Sequence, residues 1–495
     1  MAMRYSVAMR QSLATIVNQR QSLRSIALRF AQIAIATPHL LFATTGCIDP
    51  PEEAAAMRSA TVSNDQEYAN SLGTVATYNS AGVIDLGGPF FQSLGSNGRS
   101  CFTCHRLDQG MSITPSSIQS RFTASNGTDP LFATVDGSNS PSADVSTLTA
   151  RRAAFSMLLN KGLIRVGLPI PASAEFTLSA VDDPYHFASA SQLSLFRRPL
   201  PTTNLGFLSA VMWDGREMIA GNTIEASLLA QANNANLTHA QATVPLTAAQ
   251  ARAIVDFENA LYTGQYRDNV AQELAAKGSN GGAAAPSDFL VTQPFYVGIN
   301  DPLGDPRTGA AFDPIVFRLY DAWASTLTGT DPKAQARQSI LRGQTVFNTK
   351  PIAITGVAGV NDNPAFGSPA VLRGTCTICH DTPNVGNHSV ALPVNIGLTD
   401  AARRTPDMPL YTLKNRTTGA TVQVTDPGRA LITGRWADIG KFKGPILRGL
   451  AARPPYFHNG FAATLTDVIN FYNTRFAIGF TAQEQADLLA FLQSL

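Results

Sequence analysis

Cys101-Phe102-Thr103-Cys104-His105 is the stretch from which the rest of this chain can be read. Two cysteines separated by two residues and followed at once by histidine form the pattern of covalent haem attachment. The spacing lets both sulfurs reach the vinyl groups on one edge of a porphyrin, and the adjacent histidine then falls beneath the iron. A lone copy would read equally well as a redox dithiol. A second copy, Cys376-Thr377-Ile378-Cys379-His380, removes that ambiguity. Together the two use four of the five cysteines, and both carry the trailing histidine. A structural zinc site needs its pairs close in sequence, whereas these lie 275 positions apart, at 101 and 376. The expected cofactor is two covalently bound haem c groups, held by Cys101, Cys104, His105, Cys376, Cys379 and His380.

Composition sets the remaining bounds. A chain of 495 residues has room for two or three domains, and 44% hydrophobic residues suffice for ordinary cores. A net charge of +2 with 15% charged residues gives no electrostatic case for binding nucleic acid. Covalent haem attachment in bacteria takes place outside the cytoplasmic membrane, so a secretory leader is expected. Arg4, Arg10, Arg20, Arg24 and Arg29 precede the first acidic residue, Asp49, and the apolar run 30–43 is too short for a membrane span. Residues 1–47 therefore read as a leader and the protein as periplasmic or secreted. Cys47, after Gly46, is a candidate lipid anchor, with ordinary cleavage nearby as the alternative.

The organisation expected beyond the leader is a tether over 48–66 and a first haem domain over 67–265. A linker or insertion over 266–312 then leads to a second haem domain over 313–495. The fold class expected is mainly α: two cytochrome c-like domains in tandem, with long irregular loops such as 106–147, rich in Ser, Thr, Asn, Gly and Asp. Helical patterns cover 151–163 and 332–347. Two segments repeat between the halves. Thr247 to Leu261 and Thr481 to Leu495 each open on a capping box and continue with apolar residues at helical spacing. Trp213-Asp214-Gly215 followed by Thr223-Ile224-Glu225 aligns with His458-Asn459-Gly460 followed by Thr464-Leu465-Thr466. Two repeats in matching order beside two haem motifs indicate a duplicated haem domain.

The run from Gly440 to Arg448 and on through Pro455-Tyr456-Phe457-His458-Asn459-Gly460, with Trp213-Asp214-Gly215-Arg216 as its counterpart, resembles the bacterial dihaem cytochrome c peroxidases. That superfamily also holds the enzyme that matures methylamine dehydrogenase and the dihaem rubber oxygenases. The resemblance implies a reactive N-terminal haem that meets hydrogen peroxide. It also implies a C-terminal haem that takes electrons from a small c-type cytochrome or cupredoxin, a calcium ion between the domains, and a homodimer as the candidate assembly. The second haem is expected to be six-coordinate. Phe457 stands where a Met is frequent and cannot bind iron, so His458 is the first choice of distal ligand, with Met408 and Tyr456 as rivals.

Trp213 occupies the position of His458 in the repeat, and indole is not a ligand, so the first haem is expected to be open. Met111, His186, Met212 and His239 are the other residues considered for closing it. Peroxide cleavage needs a group that moves a proton between the two oxygens. Under the resemblance Glu225 takes that role, with Glu217 as alternative. Arg216 is expected to hold a propionate or the backbone, and Val211 replaces a glutamine of the family pattern. Peroxide reduction is the favoured activity. The alternatives are a dihaem oxygenase or oxidase acting on an organic or protein substrate, and a non-catalytic electron carrier.

Overall fold

Each sequence half builds a pair of helices, and each pair lines the cleft that also holds that half's C-x-x-C-H motif. The computed structural model describes residues 61–218, 221, 223–282 and 289–495. The leader, most of the tether and Cys47 lie outside them. In the first half the pair is α1 (Ile224–Thr238) and α2 (Ala248–Asn259). The second half opens on α3 (Pro332–Thr349) and ends on α4 (Leu465–Phe476) and α5 (Ala482–Gln493). Thr223, Thr247, Thr464 and Thr481 are the N-caps of α1, α2, α4 and α5, each accepting a backbone N–H of the first turn. The reciprocal capping boxes expected at Thr247–Gln250 and Thr481–Glu484 are both formed. Helices α3 and α5 pack closely at Gly343, where a Cβ would stand 1.9 Å from the Asp487 carbonyl oxygen.

The mainly α expectation is corrected by the strands. Among the described residues thirteen strands form five small sheets. The largest has four strands and places Gly73–Asn79 against Leu261–Asp268. Another joins the two sequence halves: Phe176–Asp182 pairs antiparallel with Leu410–Asn415, which pairs in turn with Thr421–Val424. Tyr411, Leu413 and Val424 from one half bury with Phe176, Leu193 and Leu195 from the other. The cause of the miss is range. Gly73–Asn79 finds Leu261–Asp268, and Phe176–Asp182 finds Leu410–Asn415, far along the chain, so no local period announces either pairing. The loop-rich stretch 106–147 also contains a helix, Pro115–Ser125, started by Pro at its first turn and stopped by Asn126 in the left-handed conformation.

By its contacts Met57–Leu495 forms one compact unit. Among the described residues no helix is long and apolar enough to cross a membrane.

Two candidate haem clefts

Each C-x-x-C-H motif begins as one turn of 3-10 helix, Cys101–Thr103 and Cys376–Ile378, capped by Ser100 and Thr375. The turn brings both cysteines and the histidine to the wall of one cleft. The first cleft has a cavity volume of about 180 Å³ and the second about 210 Å³. His105 Nδ1 donates to the Met111 carbonyl at 3.2 Å, and His380 Nδ1 donates to the Gly386 carbonyl at 2.5 Å. Each acceptor lies six positions after its histidine, and each has a positive φ, 58° and 76°. Such a bond fixes the tautomer that leaves Nε2 as a lone-pair donor. Burial pushes His105 down to about 4 and lowers His380 as well, keeping both neutral. The Cys101, Cys376 and Cys379 thiols are pushed up to about 12 by burial, as suits sulfurs destined for thioethers rather than thiolate chemistry.

The distal sides follow one backbone plan with different side chains. Met212 and Phe457, each just before the ring residue, both have φ 65°, and Gly215 and Gly460 have φ 68° and 63°. Nine positions upstream, Asn204 and Gly449 are left-handed and each starts a 3-10 turn. Fifteen positions upstream stand Arg198 and Lys443, and they bond across the halves. Arg198 N donates to the His458 carbonyl at 2.6 Å, and Lys443 N donates to the Trp213 carbonyl at 2.9 Å. This reciprocity is the mark of a pseudo-two-fold axis. Arg198, Pro199, Pro201, Trp213 and Lys443 line both clefts and so form their common wall.

His458 lines the second cleft, 1% exposed, with its ring stacked on Phe442 at 3.9 Å between centroids. Its Nε2 is buried and has no hydrogen-bond partner, and burial pushes the ring down to about 4. A neutral imidazole nitrogen left bare in a cleft that also holds His380 fits an iron ligand. Trp213 at the matching position spends its Nε1–H on the Arg198 carbonyl at 2.8 Å.

The wall carries cations without anions. Burial lowers Arg198 to about 9, Lys443 to about 8 and Arg453 to about 10. Among the described residues no carboxylate pairs with any of the three. Uncompensated buried charge is costly, and the propionates of two haems would supply the missing negative charge. The thiols, the free imidazole nitrogens and this cationic wall together fit two covalent haems.

Other expected residues fare unequally. Arg216 lines the first cleft and is held by Asp214, its backbone N–H donating to Oδ1 at 3.1 Å. Met212 and Val211 also line it. Glu225 sits on the exposed first turn of α1, ion-paired with Arg252, and is not among the residues lining the cleft. Its N-terminal position on α1 turns it toward α2 and away from the cavity. Glu217 is buried but bound by the Asn234 amide at 3.0 and 3.2 Å, outside the lining. Met408 packs with Met157, Leu163 and Phe196 and does not line the second cleft. Tyr456 lines that cleft, but its hydroxyl donates to the Leu450 carbonyl at 2.9 Å. Met111 offers His105 its carbonyl and buries its side chain in the core. His186 does not line either cleft. For the expected calcium, no group of three or more His, Cys, Asp or Glu side chains among the described residues could hold a metal ion.

Two features escaped the sequence reading. His388, in the second cleft, is bonded to the buried Asp381, which directly follows the haem motif. Glu258 on α2 lines the first cleft with Oε2 unpartnered. Of the residues considered for closing the first haem, His239 lines the first cleft beside Asp136 and Arg99, a pairing that no sequence pattern announced. The fifteen-residue offset that joins Arg198 to Lys443 was present in the repeat and could have exposed the wall.

No protein-family model matches the chain. Over 133 residues it is 30% identical to the cytochrome-c peroxidase IdrP2 of Denitromonas iodatirespirans, covering 25% of this chain and 36% of that protein. Over 143 residues it is 30% identical to the cytochrome-c peroxidase IdrP1 of Pseudomonas sp. (strain SCT), covering 25% and 37%. The Denitromonas iodatirespirans IdrP1 is 33% identical over 143 residues, with the same coverage. The matched part thus spans little more than a third of these curated relatives. A solved MauG-like protein associated with microbial copper homeostasis aligns over 83% of this chain and 88% of its own, at a TM-score of 0.34 and 16% identity. Part of the chain is therefore similar to cytochrome-c peroxidases.

Proposed function

We propose that the protein is a periplasmic dihaem c-type oxidoreductase that reduces hydrogen peroxide to water, drawing electrons from a small c-type cytochrome or cupredoxin. The observation that carries the reading is the asymmetry of the two clefts: His458 offers a bare Nε2 in the second, while its counterpart Trp213 is committed to the Arg198 carbonyl. Cys101, Cys104 and His105 would hold one haem, and Cys376, Cys379, His380 and His458 the other. The bound haems supply the one-electron chemistry and the site at which peroxide is reduced.

The chain's own residues divide the remaining work. His458 closes the second cleft to exogenous ligands, so electrons enter there without a competing reaction. Arg198 and Lys443, facing both clefts, offset propionate charge and hold the two sites at a fixed separation. Trp213 stands in the shared wall, T-shaped to the His458 ring at 6.1 Å between centroids, and fills the space between the clefts with an aromatic system. Arg216 is turned to the first cleft by Asp214.

Absorption and EPR spectra in each oxidation state, with and without peroxide, test the reading. One low-spin and one ligand-accessible haem are expected, with rapid turnover of peroxide by reduced cytochrome c. Two haems closed in every state would leave only an electron carrier. Val211 in the first cleft, where the resemblance puts glutamine, favours one rival, oxidation of an organic substrate, which an accessible haem that fails to turn over peroxide would support.

A further inference from the structure

Helix α1 presents Leu228, Ala232 and Ala235 to the first cleft at helical spacing, and the next position on that stripe is His239, the C-cap. The cleft wall therefore ends in an imidazole. Its backbone is stitched to the loop that leads into Cys101. Ser96 N donates to the Ala240 carbonyl at 3.0 Å, and Asn97 Nδ2 donates to the His239 carbonyl at 2.8 Å. A Cβ on Gly95 would stand 1.9 Å from that Ala240 carbonyl, so this contact requires glycine. His239 is thus fixed against the haem-attachment turn by main-chain bonds as well as by its own helix.

The ring is oriented as well. Nδ1 bonds to Asp136 Oδ2, and the Arg99 guanidinium pairs with Asp136 Oδ1. Arg99 is itself held by the Pro130 carbonyl at 2.8 Å and the Leu131 carbonyl at 2.6 Å. Asp136 and Arg99 are both buried, whereas the His239 side chain is 34% exposed. A carboxylate on Nδ1 selects the tautomer with a free Nε2 and stabilises the ring when it takes a proton. Among the described residues nothing bonds to Nε2. Meanwhile Glu225, expected to move protons here, is paired with Arg252 instead.

We propose that His239, oriented by Asp136, is the proton-transfer residue of the first cleft, accepting a proton at Nε2 from one oxygen of hydrogen peroxide and returning it to the other. The inference rests on the peroxide-reducing reading. The O–O bond breaks as the protonated oxygen leaves as water. The remaining oxygen atom takes two electrons from the donor protein and two protons from solvent to give a second water, so that H2O2 + 2 e− + 2 H+ gives 2 H2O.

The test compares the full-length holoprotein with His239→Gln and Asp136→Asn. Each should keep both haems and the wild-type EPR spin states. His239→Gln should slow the reaction with hydrogen peroxide by about 100-fold or more, the usual contribution of a positioned acid–base group. Peracetic acid, whose leaving acetate needs no proton, should slow by less than about tenfold. Cyanide association with the ferric protein, which requires HCN to lose its proton, should slow in parallel with peroxide and reads the same residue without turnover. Asp136→Asn should move all three rates in the same direction. If His239→Gln loses haem, His239→Ala with added imidazole takes its place, and recovery of the peroxide rate is expected. Loss of a low-spin signal in His239→Gln would make the residue an axial ligand and overturn the proposal. Equal slowing of both oxidants, or of neither, would overturn it as well. A wild-type protein inert to peroxide would sink the functional reading and this inference together, whereas an active wild type matched by His239→Gln sinks the inference alone.

Discussion

His458 and Glu258 are the two buried groups whose bare polar atoms make the sharpest claims. Replacing His458 with Ala should leave the second iron without its distal ligand and convert a low-spin EPR signal to high-spin, with a newly opened site for carbon monoxide. An unchanged spectrum would refute the ligand assignment. Burial pushes the Glu258 carboxyl up to about 8 from an ordinary 4.5. The folded protein then keeps a proton that the unfolded chain has lost, so stability falls as pH rises from about 4.5 to about 8. Urea midpoints at pH 5 and pH 8 should show this drop, and Glu258→Gln should flatten it. If the variant loses as much between the two pH values as wild type does, the slope belongs to other groups. At this scale the two C-x-x-C-H motifs were legible because their chemistry demands contiguous residues. The pairing of His239 with Asp136 and Arg99 was not, because three chain segments assemble that cluster and no short window contains it.

Among the elements, the helices announced themselves through caps. Thr481 accepts the Glu484 N–H at 3.1 Å while the Glu484 carboxylate receives the Thr481 N–H at 2.8 Å, closing the first turn of α5. Thr481→Ala should cost about 1 kcal/mol of unfolding free energy, measured by chemical denaturation. A change below about 0.3 kcal/mol would show that tertiary packing alone holds the helix. That contrast explains what sequence could supply. A helix carries its start signal and its apolar period within a dozen residues. The strand Leu410–Asn415 also alternates, with Tyr411, Leu413 and Asn415 buried, but its partner is Phe176–Asp182. The mainly α expectation failed on those long-range pairings. The loop over 106–147 failed differently: polar helix Pro115–Ser125 buries only Ile118 and Phe122, too thin a stripe to stand out from turn-like composition.

For the molecule as a whole, the two halves are joined by more than a linker. Arg197 Nε and Nη2 donate to Asp426 at 2.7 and 3.0 Å, and its Nη1 donates to Asp214 at 2.5 Å. All three side chains are almost fully buried. Arg197→Met would strand two buried carboxylates, one in each half, and should destabilise by about 3–5 kcal/mol. Denaturation followed by tryptophan fluorescence measures that loss, and a change under about 1 kcal/mol would show that water replaces the guanidinium. The repeat was visible in the order of the motifs. That its halves share a sheet, an ion cluster and a wall was invisible, since each depends on contacts between segments more than two hundred positions apart.

The crossed bonds of that wall, Arg198 to His458 and Lys443 to Trp213, bear on how such a chain can change over time. Each ring residue is seated by a main-chain donor from the other copy, fifteen positions ahead of that copy's own ring residue. A deletion in either intervening segment would therefore unseat the ring of the opposite half as well as its own. After duplication, the two segments are constrained to keep equal length while their side chains remain free to diverge. Histidine in one copy and tryptophan in the other is the divergence such a frame permits.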